Sequence, residues 1–145
     1  MILPLAGICW SFAIQAASFE FNVESQSGLK VVAKGIPIIR GSWFQYYAPN
    51  WTKGFYSSRW NSQTVERIDA DNVKVSFRGA EGKASGTVSY QRIGNRLVVV
   101  YRFDWNSDEP ALVEVTPWMV SMSPFVGGEI AINGKTRSLS SEPLT

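Results

Sequence analysis

Histidine is absent from all 145 residues, and cysteine occurs once, at Cys9. The first absence removes the side chain most often used as a general base near neutral pH, and the commonest zinc ligand goes with it. A single cysteine leaves no disulfide within the chain. No concentrated charge is present either. Lys and Arg total 14 against 12 Asp and Glu, a net charge of +2, and the cations are scattered. A nucleic-acid binder needs a basic stripe to displace counterions from phosphates, so that class of partner is excluded. No Gly-x-x-x-x-Gly-Lys run leads into a helical pattern, so no phosphate loop is present. Past residue 18 there is no sustained helical period over ten or more residues.

Charge is missing altogether from residues 1–18, MILPLAGICWSFAIQAAS. An apolar run of this length, ending in Ala16, Ala17 and Ser18, reads as a secretory signal peptide. A membrane span would need about 20 apolar residues with suitable flanks. The run departs from the usual pattern in having no Lys or Arg after Met1. Cys9 follows the large Ile8, which argues against a lipid-attachment site. The expected organisation is a leader over 1–18 and one domain over 19–145, in a secreted, periplasmic or cell-surface protein with no membrane span in the mature chain. Removal of the leader would take Cys9 with it and end thiol chemistry as an option.

What is present beyond the leader is alternation. Phe19, Phe21 and Val23 alternate with Glu20, Asn22 and Glu24, the period of a half-buried strand. Ser25–Gly28 carries turn chemistry and Leu29–Lys34 reads as a second strand. Pro37 makes Gly35–Arg40 an edge or a strand start. Further strands are expected over Val65–Ile68, Val73–Arg78, Gly86–Gln91, Leu97–Trp105 and Ala111–Pro117, and Ile132-Asn133-Gly134-Lys135 signals a hairpin. Val98 and Val100 make Leu97–Trp105 apolar on both faces at its start, which suggests a central strand. Turns about every 8–12 residues predict an all-β antiparallel sandwich. Leu139–Thr145 carries no defined element, so a partial or truncated domain is also expected.

The run Thr87–Phe103, with its Gly94-Asn95 turn and the continuation Asn106–Pro117, resembles a recurring hairpin of supersandwich domains, which are similar to galactose mutarotases and occur in large secreted carbohydrate-active enzymes. Gly41–Tyr47 with Asn50–Trp60 resembles stretches in the N-terminal modules of such proteins. The resemblance implies a β-sandwich module beside a catalytic domain. The mutarotase histidine has no counterpart here, so epimerase activity is not implied. Gly41-Ser42-Trp43 also resembles the Gly-x-Trp that opens the first strand of lipocalins, which would imply a small-ligand barrel.

Between Trp43 and Trp60, eight aromatic side chains stand in eighteen residues, interleaved with Arg40, Gln45, Asn50, Lys53, Arg59 and Asn61. Sugar C–H faces stack on such rings while amides and guanidinium groups bond the hydroxyls. Trp51, Tyr56 and Trp60, with Asn50, Arg59 and Asn61, are the candidate carbohydrate-binding residues. The competing reading is packing, since each ring can bury roughly 150–250 Å² in a core or a domain seam. Asn50-Trp51-Thr52 also fits an N-glycosylation acceptor. The only acid–base groups left are carboxylates. Asp69, Asp71, Asp108 and Glu109 sit in turn sequences, and Glu114 is isolated between Val113 and Val115. A glycosidase needs two carboxyl groups about 5–9.5 Å apart, and no spacing marks such a pair. The expectation is a non-catalytic module with no cofactor or metal, contacting carbohydrate or supporting a neighbouring domain. A lipocalin-like carrier and a carboxylate-only glycoside hydrolase are the alternatives.

Overall fold

A computed structural model describes residues 8–15, 18–60, 62–120, 126–127, 129–132 and 135–138. Its strands are β1 (Ile8–Gln15), β2 (Glu20–Glu24), β3 (Gly28–Ala33), β4 (Ile36–Tyr47), β5 (Gly54–Tyr56), β6 (Gln63–Arg67), β7 (Asn72–Gly79), β8 (Ala84–Ile93), β9 (Arg96–Trp105), β10 (Leu112–Val120), β11 (Glu129–Ile132) and β12 (Lys135–Ser138). One large sheet runs in the order β1-β9-β8-β7-β6, a second runs β10-β4-β3-β2 with β5 also paired to β4, and β11 and β12 form a separate two-stranded sheet. All the pairings are antiparallel. The expected all-β sandwich is the observed architecture, and Leu97–Trp105 is internal, between β1 and β8.

The sheets are held together by the apolar halves of the alternating strands. Phe21 and Val23, Leu29 and Val31, Val73, Val75 and Phe77, Val88 and Tyr90, and Leu97, Val99, Tyr101 and Phe103 form one buried cluster with Phe44, Tyr46 and Trp60. Their neighbours along each strand face outward, because successive residues of a strand point to opposite faces. At the sheet edges Arg67 of β6 donates to Asn22 Oδ1 of β2 at 3.1 Å. Arg92 bonds the Phe19 carbonyl and pairs with Asp71.

β4 changes phase along its length. Ile39 is buried near its start, and Phe44 and Tyr46 are buried near its end. An odd-numbered and then an even-numbered set therefore faces the core, which requires one extra residue between them. Gly41 and Ser42 stand at that place, both buried. The pairing with β10 is irregular on both sides of Gly41, shifting between Thr116 and Met119 and again between Met119 and Val120, where Gly41 to Ile39 on β4 matches one step on β10. The irregularity leaves ladder groups to be satisfied otherwise. Ser42 N–H donates to Ser27 O at 3.1 Å, and Leu29 N–H donates to Ser42 Oγ at 2.9 Å. Gly28, at φ +70°, makes this approach possible, since a Cβ there would lie 2.2 Å from the Ser42 carbonyl oxygen.

Among the described residues both large sheets are open and no barrel closes. The lipocalin-like expectation gives way here. Gly41-Ser42-Trp43 forms the irregular middle of β4, after β2 and β3, and does not open a first barrel strand. No helix among the described residues is long and apolar enough to cross a membrane. The leader expected over residues 1–18 overlaps β1.

Candidate functional site

Burial of Phe44 and Tyr46 in the sandwich turns Trp43, Gln45 and Tyr47 to the opposite, outer face of the same sheet. The register then lines up neighbours across three strands. Gln45 stands between Glu114 of β10 and Tyr56 of β5, Tyr47 between Leu112 and Gly54, and Trp43 opposite Thr116. Trp43, Gln45, Tyr56, Ser57 and Ser58 line an open depression of about 330 Å³ on this face, with Phe44 contributing from the strand.

Polar groups on the face are already organised. Gln45 is buried and its Nε2 donates to Glu114 Oε2 at 2.8 Å, so the amide is fixed and the carboxylate keeps further lone pairs for a donor. Ser57 is buried too, and its Oγ accepts the Phe44 N–H at 3.1 Å. The Tyr47 hydroxyl has its pKa raised, first by desolvation and then by neighbouring Tyr56 and Glu114. It stays a neutral donor and acceptor at ordinary pH.

The rings come next. Trp51 packs on Tyr47 with centroids 4.3 Å apart, and Tyr47 meets Tyr56 edge-on at 6.1 Å. The Arg59 guanidinium lies 5.0 Å from the Tyr56 centroid, within cation–π reach. Trp51 is 59% exposed. It is carried by the short 3-10 turn Pro49–Trp51, closed by Ala48 N–H to Lys53 O at 2.9 Å and Trp51 N–H to Ala48 O at 3.1 Å. Asn50 and Trp51 are both left-handed, at φ 56° and 59°. Asn tolerates that region, whereas a bulky residue there costs on the order of 1–3 kcal/mol. Strain of this kind persists only where the surroundings over-determine it, and here it holds an indole out over Tyr47 at the end of β4.

The candidates from the sequence divide accordingly. Trp51, Tyr56 and Arg59 come together through Tyr47, and Asn50 lies exposed in the turn that carries Trp51. Trp60 does not join them. It is 9% exposed in the core cluster, edge-on to Phe44 at 5.5 Å, so its ring is not offered to a ligand. The turn Ser57–Arg59 drives it inward, with Trp60 N–H bonded to Ser57 O at 3.1 Å. Glycine opposite makes room, since a Cβ on Gly79 would lie 2.2 Å from the indole. Asn61 lies outside the described residues. The candidate list missed Trp43, Gln45, Tyr47 and Glu114. The first three alternate with the core pair Phe44 and Tyr46, a period-2 signal present in the sequence. Glu114 joins only through cross-strand register.

Asp69, Asp71, Glu24, Glu81 and Glu109 serve turns and ion pairs. Asp69 is held below the usual carboxylate range by the Asn72 side chain and then the Asp71 N–H. Glu81 is pulled down by Lys53, its partner at 2.5 Å, and Glu109 pairs with Lys83. Among the described residues no carboxylate lines the depression. Among the described residues no group of three or more His, Cys, Asp or Glu gathers. No known protein family, curated protein or solved structure matches this chain.

Proposed function

We propose that this chain is a non-catalytic β-sandwich module of an exported carbohydrate-active or cell-surface protein, and that the outer face of β4, β5 and β10 contacts carbohydrate. The observation that carries the reading is Trp51, held exposed on a strained turn and packed on Tyr47 beside Tyr56 and Arg59. Flat rings would take the C–H face of a sugar ring. Gln45 and Glu114, fixed against each other, would take its hydroxyls, and Arg59 adds donors at the rim. The depression lacks the carboxylate pair that glycoside hydrolysis needs, so the reading offered for this face is binding rather than turnover.

Isothermal titration against a panel of soluble polysaccharides tests it. Heat is expected with at least one, and Trp51→Ala should weaken that binding about tenfold or more, roughly 1.4 kcal/mol. The melting temperature should hardly move, because the indole is mostly in water. Silence across the panel, together with a destabilised Trp51→Ala, would favour the second reading, in which this face packs on a neighbouring domain. Leu112, 44% exposed and opposite Tyr47, is the observation on that side.

A further inference from the structure

β1 lies along the outer edge of β9 for eight consecutive positions without a shift, from Ile8 opposite Phe103 to Gln15 opposite Arg96. The other edge of β9 is filled by β8 along its whole length. Take β1 away and a ten-residue strand becomes an edge. Such edges are normally blunted by charge, proline or a bulge. The middle of β9, Leu97 to Tyr101, has none of these: Leu97, Val99 and Tyr101 are buried and Val98 and Val100 half-buried.

The segment that fills this edge carries two patterns at once. It is the apolar centre of the leader-like run, and an export leader needs hydrophobicity but no alternation. Yet Ile8, Trp10, Phe12 and Ile14 stand opposite the buried Phe103, Tyr101, Val99 and Leu97, while Cys9, Ser11, Ala13 and Gln15 stand opposite Arg102, Val100, Val98 and Arg96. That is strand patterning in register with its host. Arg96 and Arg102 are exposed, and neither pairs with a carboxylate among the described residues.

We infer that the outer edge of β9 is a strand-acceptor site, filled by Ile8–Gln15 while the leader is attached. After its removal the site takes an extended segment of a partner polypeptide, with large apolar residues at alternate positions and acidic residues facing Arg96 and Arg102. The inference rests on the export reading. Main-chain bonds along the edge would supply affinity and the alternate side chains specificity, as in other strand additions.

The test uses the full chain carrying Phe12→Pro and Ala13→Pro together, adjacent positions chosen so that one lost N–H belongs to the ladder. The probe is a labelled octapeptide of Ile8–Gln15 with Cys9→Glu and Gln15→Glu. The variant should bind it one to one, with exchange of the β9 amides on that side slowed at least tenfold, and the unsubstituted chain should not bind. A folded variant that ignores the peptide, an unsubstituted chain that binds equally well, or dimers of the variant joined through β9 would each overturn the inference. Should the variant fail to fold, hydrogen exchange in the unsubstituted chain decides. Protection of β9 amides facing β1 equal to those facing β8 supports the site, and rapid exchange there rejects it. The mass of the exported protein separates the two readings. A chain beginning at Phe19 supports replacement by a partner strand. Retention of Ile8–Gln15 defeats both that replacement and leader cleavage, and leaves the polysaccharide titration untouched.

Discussion

Trp51 and Trp60 have the same side chain in the same aromatic block, yet one is 59% exposed and the other 9%. Composition could not separate them. What does is the backbone that carries each one, a left-handed turn for Trp51 and an inward turn facing Gly79 for Trp60. Tyr46 makes the point from the polar side. Its ring stacks on Trp105 at 5.3 Å and meets Phe103 at 5.8 Å, while its hydroxyl is buried with no hydrogen-bond partner among the described residues. The ring contributes and the hydroxyl opposes, since a buried unsatisfied group forfeits its hydration. Tyr46→Phe should therefore leave urea-unfolding stability unchanged or raise it by up to about 1 kcal/mol. A loss larger than that would show that the hydroxyl has a partner after all.

At the scale of the element, β4 is decisive. Its single phase change lets Ile39 and the Phe44–Tyr46 pair serve one core and frees Trp43, Gln45 and Tyr47 for the outer face. The junction depends on Ser42 Oγ, which accepts the Leu29 N–H in the buried interior. Ser42→Ala would leave that N–H unsatisfied and should cost about 1–3 kcal/mol, read as a lower melting temperature with slow exchange lost at Leu29. Strands with clean alternation, such as β2, β7 and β9, were legible in the sequence, because period 2 over five or more residues has no helical counterpart. The junction in β4 was not, since one extra residue there looks like a break in the pattern. Tyr56 and Arg59 were legible as neighbours of Trp51 because they lie close along the chain. Glu114 was not, because it reaches the site only by pairing with Gln45 across β10 and β4.

For the whole molecule, the interior between the sheets holds three tyrosines whose ionisation burial opposes. Tyr90 is pushed up to about 12, chiefly by burial. Tyr46 and Tyr101 are raised as well, each by burial first and then by Asp104 and Tyr90 respectively. In the unfolded chain these hydroxyls ionise near pH 10. Below that pH both states keep these tyrosine protons, and the three hydroxyls add no slope. Above it the unfolded chain releases protons that the folded chain retains, so stability falls as pH rises from 10 toward 12. Each tyrosine adds about 1.4 kcal/mol per pH unit to the slope. The expected outcome is unfolding in base, with the tyrosinate absorbance of Tyr46, Tyr90 and Tyr101 appearing together with loss of the β-sheet signal. Absorbance from more than the two outer-face tyrosines, Tyr47 and Tyr56, rising well ahead of unfolding would mean that the interior admits hydroxide.

The seating of Trp51 on Tyr47 also bears on kinetics. A ring already in position leaves no rearrangement to wait for, so encounters would convert to contact at rates governed by diffusion and orientation. On the proposed carbohydrate reading, ligands that differ in strength at this face should then differ in how long they stay, while their arrival rates remain alike.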